Sequence, residues 1–180
     1  MPKYIALLRG INVGGHRKVK MKALRALFGS MGFKNVATYI QSGNVVFDAP
    51  KTEVNRLSNT IKQQIEDQFG YDVPVIVRTA ANLEKVLKNM PFEKQEGWKR
   101  YITFLSEEPD ESHKQKLEAQ SSNIEIFKLG NKVVYAQVDK QTSAKPKFSS
   151  NFIQQQLNIP ATNRNLRTIN KILDLAFADS

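Results

Sequence analysis

Residues 4–21 read YIALLRGINVGGHRKVKM, and the fold follows from how this stretch is parsed. Tyr4–Leu8 is an apolar run dense enough for a strand buried on both faces. It breaks at Arg9-Gly10, passes through Gly14-Gly15 and ends among His16, Arg17, Lys18 and Lys20. A helical pattern then begins. Met21, Leu24, Leu27, Phe28 and Met31 share one face of a predicted helix over Lys20–Met31, and Gly32 is placed to stop it. A strand that opens through glycines onto a helix start is a place where backbone N–H groups meet anions.

Downstream, Ala37–Gln41 and Asn44–Phe47 form a hairpin pattern around Ser42-Gly43. Val54, Leu57, Ile61, Ile65 and Phe69 mark a second helix, with Thr52 as N-cap and Gly70 at its end. Val73–Arg78 is a fourth strand, and Pro74 suits an edge position. The order β-α-β-β-α-β is the ferredoxin-like arrangement, in which both helices cover one face of a four-stranded antiparallel sheet.

Thr79 then caps a short helix that runs to Lys88, and Met90–Trp98 (MPFEKQEGW) marks a boundary. The same grammar partly repeats. Arg100–Leu105 is a strand and Asp110–Ala119 a helix. Asn123–Leu129 and Lys132–Val138 pair across Gly130-Asn131, and Ser150–Leu157 is a helix. Asn158–Arg164 reads as a loop and Asn165–Ala178 as a final helix, so the closing strand is missing. The expected fold is α+β with two ferredoxin-like subdomains, residues 1–89 (with the short helix) and 98–180, the second incomplete and carrying an extra C-terminal helix.

Apolar residues make up 41% of the 180, as in globular chains, and there is no cysteine, which excludes disulfides and thiolate zinc sites. With no signal-peptide core and no apolar run near the ~20 residues of a membrane span, the expectation is a soluble cytoplasmic protein without a membrane partner. The net charge of +10 is unevenly spread. Residues 1–47 hold eight Lys/Arg and no acid; the segments 1–47, 48–138 and 139–180 carry +8, −1 and +3. A run this long without an acid points to an anionic partner.

Gly10, Gly14 and Gly15 match neither the P-loop nor the dinucleotide fingerprint, so no such cofactor is expected. The helix after them has no Ser, Thr, Asp or Asn at its start and puts Lys20 and Lys22 at the wrong end for its dipole. A bound phosphate or carboxylate would remove both penalties. Six bases lie between Arg9 and Arg25. At the hairpin tip, Gln41, Ser42, Gly43 and Asn44 are ordinary turn chemistry, yet Gln41 and Asn44 also suit base edges or sugar hydroxyls. Two later clusters, Lys145–Ser150 and Ala161–Thr168, mix bases with hydroxyl and amide groups before predicted helices. Ser149 and Asn165 suit N-caps there, and Arg164 and Arg167 suit a phosphate. His16 and His113 stand apart from any metal-ligand spacing, and no serine has a nucleophile-elbow context, so no metal site is expected and no catalytic residue is assigned.

Three stretches, LLRGINVGGHRKVKM, TYIQSGNVVF and ATNRNLRTINKI, closely resemble bacterial proteins grouped as domain of unknown function 1697. The third departs from that pattern, with Leu166 where an aromatic is expected and Arg167 in place of a small polar residue. The resemblance implies two α+β subdomains of ferredoxin-like character; the family is uncharacterised, so it does not point to an activity. Arg9, Gly10, Asn12, Lys20, Gln41, Ser42, Gly43, Asn44, Thr162, Arg164 and Asn165 all fall inside the matching stretches; with Gly14 and Gly15 they form the candidate ligand-binding set.

Two functional classes follow. One is a non-catalytic module for nucleic acid or another polyanion, without the aromatic pattern of sequence-specific RNA readers. The other is an enzyme or sensor for a phosphorylated small molecule or nucleotide. Either way the loop Arg9–Lys18, the tip Gln41–Asn44 and the segment Thr162–Asn165 are expected to meet in one cleft. Arg9 and Arg164 are expected to face solvent.

Overall fold

A computed structural model describes residues 1–178. The chain folds as two units, Met1–Glu84 together with the chain from Asn170 onward, and Lys85–Ile169.

The first unit runs β1 (Lys3–Leu8), α1 (Met21–Ser30), β2 (Lys34–Tyr39), β3 (Asn44–Asp48), α2 (Val54–Phe69) and β4 (Val75–Thr79). Its sheet is antiparallel in the order β2-β3-β1-β4, the ferredoxin-like order expected, with β4 at an edge. Side chains alternate along β1. Tyr4, Ala6 and Leu8 therefore join the core that Leu24, Leu27 and Phe28 of α1 and Leu57, Ile61 and Ile65 of α2 complete. The Phe47 ring sits at its centre, with ring centroids 5.3 Å from Phe28 and 4.6 Å from Phe33. Ile5 and Leu7, on the opposite face of β1, are equally buried. Gly70 ends α2 in the left-handed region, φ 76°. Thr52 is not the N-cap of α2: Glu53 holds that position without a side-chain bond, and the Thr52 hydroxyl donates to Pro50 O instead.

The second unit repeats the plan. After α3 (Ala80–Lys88), which straddles the boundary, come β5 (Trp98–Leu105), α4 (Glu111–Glu118), β6 (Glu125–Gly130), β7 (Val133–Asp139), α5 (Ser150–Leu157) and β8 (Ala161–Asn165), and then α6 (Leu166–Ala176), which begins in the second unit and continues in the first. The strand order is β6-β7-β5-β8, again antiparallel. Leu105, Leu117, Phe127, Val134, Ile153 and Leu157 share its core. The caps expected at Thr79 and Ser149 form: Thr79 Oγ1 accepts from Asn82 N–H and Ser149 Oγ from Phe152 N–H.

The expectation of a missing closing strand is overturned. The second unit is not incomplete, because Ala161–Asn165, read as part of a loop, is its closing strand β8. The strand reads ATNRN. Its Thr162 and Arg164 are buried where aliphatic residues would have given a recognisable alternation. Arg164 is satisfied in place: Nη1 donates to Thr162 Oγ1 at 2.9 Å and to Asn163 O at 2.9 Å.

With β8 present, the two units match residue for residue along their last strands. Arg9 N–H donates to Pro74 O and Ser106 N–H to Pro160 O, each at 3.1 Å. Ile5 faces Arg78, and Ile102 faces Arg164. Both arginines are buried and donate to the preceding carbonyl, Val77 O and Asn163 O. Burial pushes both guanidinium groups down to about 10. Thr79 and Asn165 then cap α3 and α6 through Asn82 and Thr168.

A side chain at Gly43 has no room, since its Cβ would lie 2.6 Å from Leu8 Cβ, and its φ of +93° disfavours any other residue. Gly43→Ala is therefore expected to destabilise by about 2 kcal/mol or more. Gly29, in α1 with nothing within 4 Å, is the control; Gly29→Ala is expected to stabilise by ~0.5–1 kcal/mol. Denaturant midpoints of the two variants check the contrast.

Candidate functional site

The segment between β1 and α1, residues 9–20, is a small hairpin built on primed-turn chemistry. Gly14 and Gly15 have φ of +58° and +77°, as a type I′ turn requires of its two central residues. His16 N–H donates to Val13 O at 3.0 Å and Asn12 N–H to Arg17 O at 3.1 Å, which zips the hairpin. Asn12 and Arg17 themselves take positive φ, 55° and 50°.

The Asn12 side chain anchors this hairpin to everything around it. Its Oδ1 accepts from Val19 N–H at 2.8 Å, and its Nδ2 donates to Val19 O at 2.9 Å and Gln41 O at 2.8 Å. One amide thus joins the loop, the residue before the helix N-cap and the β2–β3 tip. The tip is held from below as well, where Leu8 N–H donates to Gly43 O at 2.8 Å. The topology-based expectation holds here: the loop after β1 and the start of β3 are neighbours, with Leu7 opposite Asn44.

The result is a depression of about 440 Å³ lined by Asn12, Gly15, Lys18, Val19, Lys20 and Gln41. Lys18, Lys20 and Gln41 are exposed. Lys20 is the N-cap of α1 and makes no side-chain capping bond, and the first turn holds no acid. Arg9 is held below the ordinary arginine value, first by burial and then by the nearby Arg17 guanidinium. Two guanidinium groups within electrostatic reach of each other favour an anion between or beside them. Among the described residues, no group of three or more His, Cys, Asp and Glu has the geometry of a metal site.

The second unit supplies an internal comparison. Its equivalent loop, residues 106–110, is short and carries Glu107, Glu108 and Asp110. Glu108 Oε2 accepts from Lys132 N–H at the β6–β7 tip at 2.6 Å, the role that Asn12 fills in the first unit. Asp110 caps α4 by accepting from His113 N–H at 2.7 Å. The same junction is therefore acidic and internally satisfied in one unit, basic and uncapped in the other.

The sequence profile of a family described as a protein of unknown function, DUF1697, matches residues 1–135. The chain belongs to this family. The matched span includes both the loop and the tip and ends before the third stretch, Ala161–Ile172. The conserved bacterial protein SP0830 from Streptococcus pneumoniae has the same fold, at 23% identity over 97% of this chain and 98% of its own, with a TM-score of 0.73. No curated protein matches the chain.

The candidate residues of the DUF1697 chain fall into three groups. Gly15, Lys20, Gln41 and Asn12 line the depression, and Arg9, Gly10, Gly14, Ser42 and Gly43 adjoin it along the chain. Asn44 is fully buried, and its Nδ2 donates to Tyr39 O and Ser42 Oγ, each at 3.1 Å, so its amide shapes the turn. Thr162, Arg164 and Asn165 lie in the other unit. Thr162 and Arg164 are buried in β8, and Asn165 Oδ1 caps α6 by accepting from Thr168 N–H. Arg164 does not face solvent as expected: it is 9% exposed.

Two residues went unnoticed in the sequence. Val13 and Ile40 are 62% and 52% exposed. Ile40 holds φ +48°, a strained state for a β-branched side chain, on the order of 1–3 kcal/mol. No spacing rule flags an exposed aliphatic at a turn.

Asn12→Ala removes three bonds and leaves a non-glycine residue at φ +55°. It is expected to destabilise by about 2 kcal/mol and to speed amide exchange at Val19. Arg164→Ala, in the interior of β8, is expected to destabilise by about 3 kcal/mol. Exposed Arg17→Ala should change stability by less than about 0.5 kcal/mol, and urea midpoints separate the two arginines.

Proposed function

We propose that this DUF1697 protein is a non-catalytic, cytoplasmic binding module for a phosphate-bearing anion, with nucleic acid as the favoured ligand. One observation carries the reading. Of two equivalent strand-to-helix junctions, only the first is basic and lacks a helix cap; the second is acidic and capped by Asp110. A repeat keeps its frame and varies its loops where a loop has work of its own. Lys18 and Lys20, beside the first turn of α1, combine point charges with the positive end of a helix dipole. Arg9 and Arg17, in the same loop, add charge beyond that of Lys18 and Lys20, more than a single phosphate needs.

A second reading, an enzyme or sensor for a phosphorylated small molecule or nucleotide, is supported by the size of the depression. About 440 Å³ is within the ordinary range for a small-ligand pocket. His16, exposed and remote from any acid in sequence, offers no oriented general base.

Filter binding of a single-stranded oligonucleotide across a salt series tests the first reading. Contact with about three phosphates predicts a slope of log K against log salt of about −2, and Lys18→Ala and Lys20→Ala should each reduce it by about 0.7. A flat salt dependence, or equal losses from Lys128→Ala in the second unit, would sink it. A thermal-shift series with sugar phosphates and nucleotides distinguishes the second: a rise in Tm with these and none with the oligonucleotide would select it.

A further inference from the structure

The exposed large hydrophobic residues among those described are Met1, Val13, Ile40 and Phe177. Two of them flank the same junction. Val13 follows Asn12 and Ile40 precedes Gln41, and the Asn12 Nδ2 to Gln41 O bond at 2.8 Å holds the two segments together. Both therefore stand next in chain to residues that line the basic depression. Their exposure is enforced by backbone geometry. Val13 opens the glycine turn that closes at His16, and Ile40 sits at positive φ where Asn or Gly would be relaxed. The turn at Gly130-Lys132 in the second unit has no such pair: its positive-φ position is taken by Lys132.

From this pairing we propose that the ligand carries a nucleobase next to its phosphate, with the base resting on Val13 and Ile40 and the phosphate on Lys18, Lys20 and the start of α1. The proposal rests on the phosphate-binding reading above and specifies its ligand. A sugar phosphate offers no flat apolar face for two exposed aliphatic side chains. A protein partner matched to an apolar patch would not need Lys18 and Lys20 in the depression beside it. Aliphatic contact with a base face is tolerant of sequence, since every base has such a face. The exposed Gln41 amide is the group at the rim able to bond a base edge. Two sources share this chemistry: a free nucleotide and one unit of a single strand.

The test uses the full chain and three probes, ribose 5-phosphate, adenosine 5′-monophosphate and a short single-stranded oligonucleotide, with affinities from calorimetry at low salt. The base-bearing probes are expected to bind about ten-fold tighter than ribose 5-phosphate. Ile40→Asn should remove that margin, leave ribose 5-phosphate unchanged and raise Tm, because Asn accepts the left-handed backbone that Ile40 strains. Val13→Ser should reduce the margin without the rise in Tm. Equal affinity for all three probes, or a margin that survives both variants, overturns the nucleobase proposal and leaves phosphate binding standing. No binding of any probe overturns both. A further gain of the oligonucleotide over the mononucleotide, lost with rising salt, assigns the ligand to a strand; no gain assigns it to a free nucleotide.

Discussion

The candidate site depends on one close approach. Gly43 lies so near Leu8 that a methyl group cannot fit between them, and the Leu8 N–H donates to Gly43 O. Leu8 ends one of the two central strands of the first sheet, and Gly43 is the last residue before the other, β3. The contact fixes where the tip sits relative to the chain leaving β1. Ile11 packs against the same glycine, its Cδ1 placed 3.1 Å from where the Cβ would be. The Asn12 amide can then bridge tip and helix start, because both stay within its short reach. A looser crossing would leave the lysines on a mobile loop and the depression without walls.

The two units show what a common frame permits. Their matched prolines, matched buried arginines and matched helix caps lie along the last strands, where packing leaves little freedom. They diverge at the first strand-to-helix loop and at the hairpin tip. In the second unit a carboxylate closes the gap between loop and tip, and another caps the helix, so the junction is electrostatically complete. In the first unit an uncharged amide makes the equivalent link. Residues 1–47, which include this junction, contain no acid.

Much of this was legible in the sequence, for definite reasons. The helices of both cores announce themselves by apolar spacing, and glycine or a short polar cap marks several of their ends. Once the strand order was recognised, the meeting of the loop with the hairpin tip followed from topology. Strand β8 was hidden because its buried face carries Thr162 and Arg164, residues that normally mark solvent. The roles of Asn12 and Asn44 were hidden for a different reason. An asparagine that shapes a turn and one that meets a ligand are the same letter, and only the bonds of its amide tell them apart. Arg164 failed similarly: a basic residue before a helix reads as a phosphate contact, whereas its guanidinium is folded back onto its own strand.

Although Asn35 at φ 51° and the uncapped start of α2 lie elsewhere, several less favourable features of the first unit share one place. Asn12, Arg17 and Ile40 all hold left-handed backbone there. Arg9 and Arg17 repel each other, and α1 begins with neither a side-chain cap nor an acid. Scattered, such features would read as accidents of a marginal loop. The loop and tip that carry them are tied to the sheet, with Leu8 N–H donating to Gly43 O and Arg9 N–H to Pro74 O. An anion at the α1 N-terminus would relieve the electrostatic features together, and contact with Ile40 would give use to the strained one. In the second unit Lys132 also holds left-handed backbone, φ 56°, but its N–H donates to Glu108 and the helix is capped by Asp110. On the proposed reading, one anion at this junction would meet the exposed Lys18 and Lys20 and the uncapped start of α1 at once.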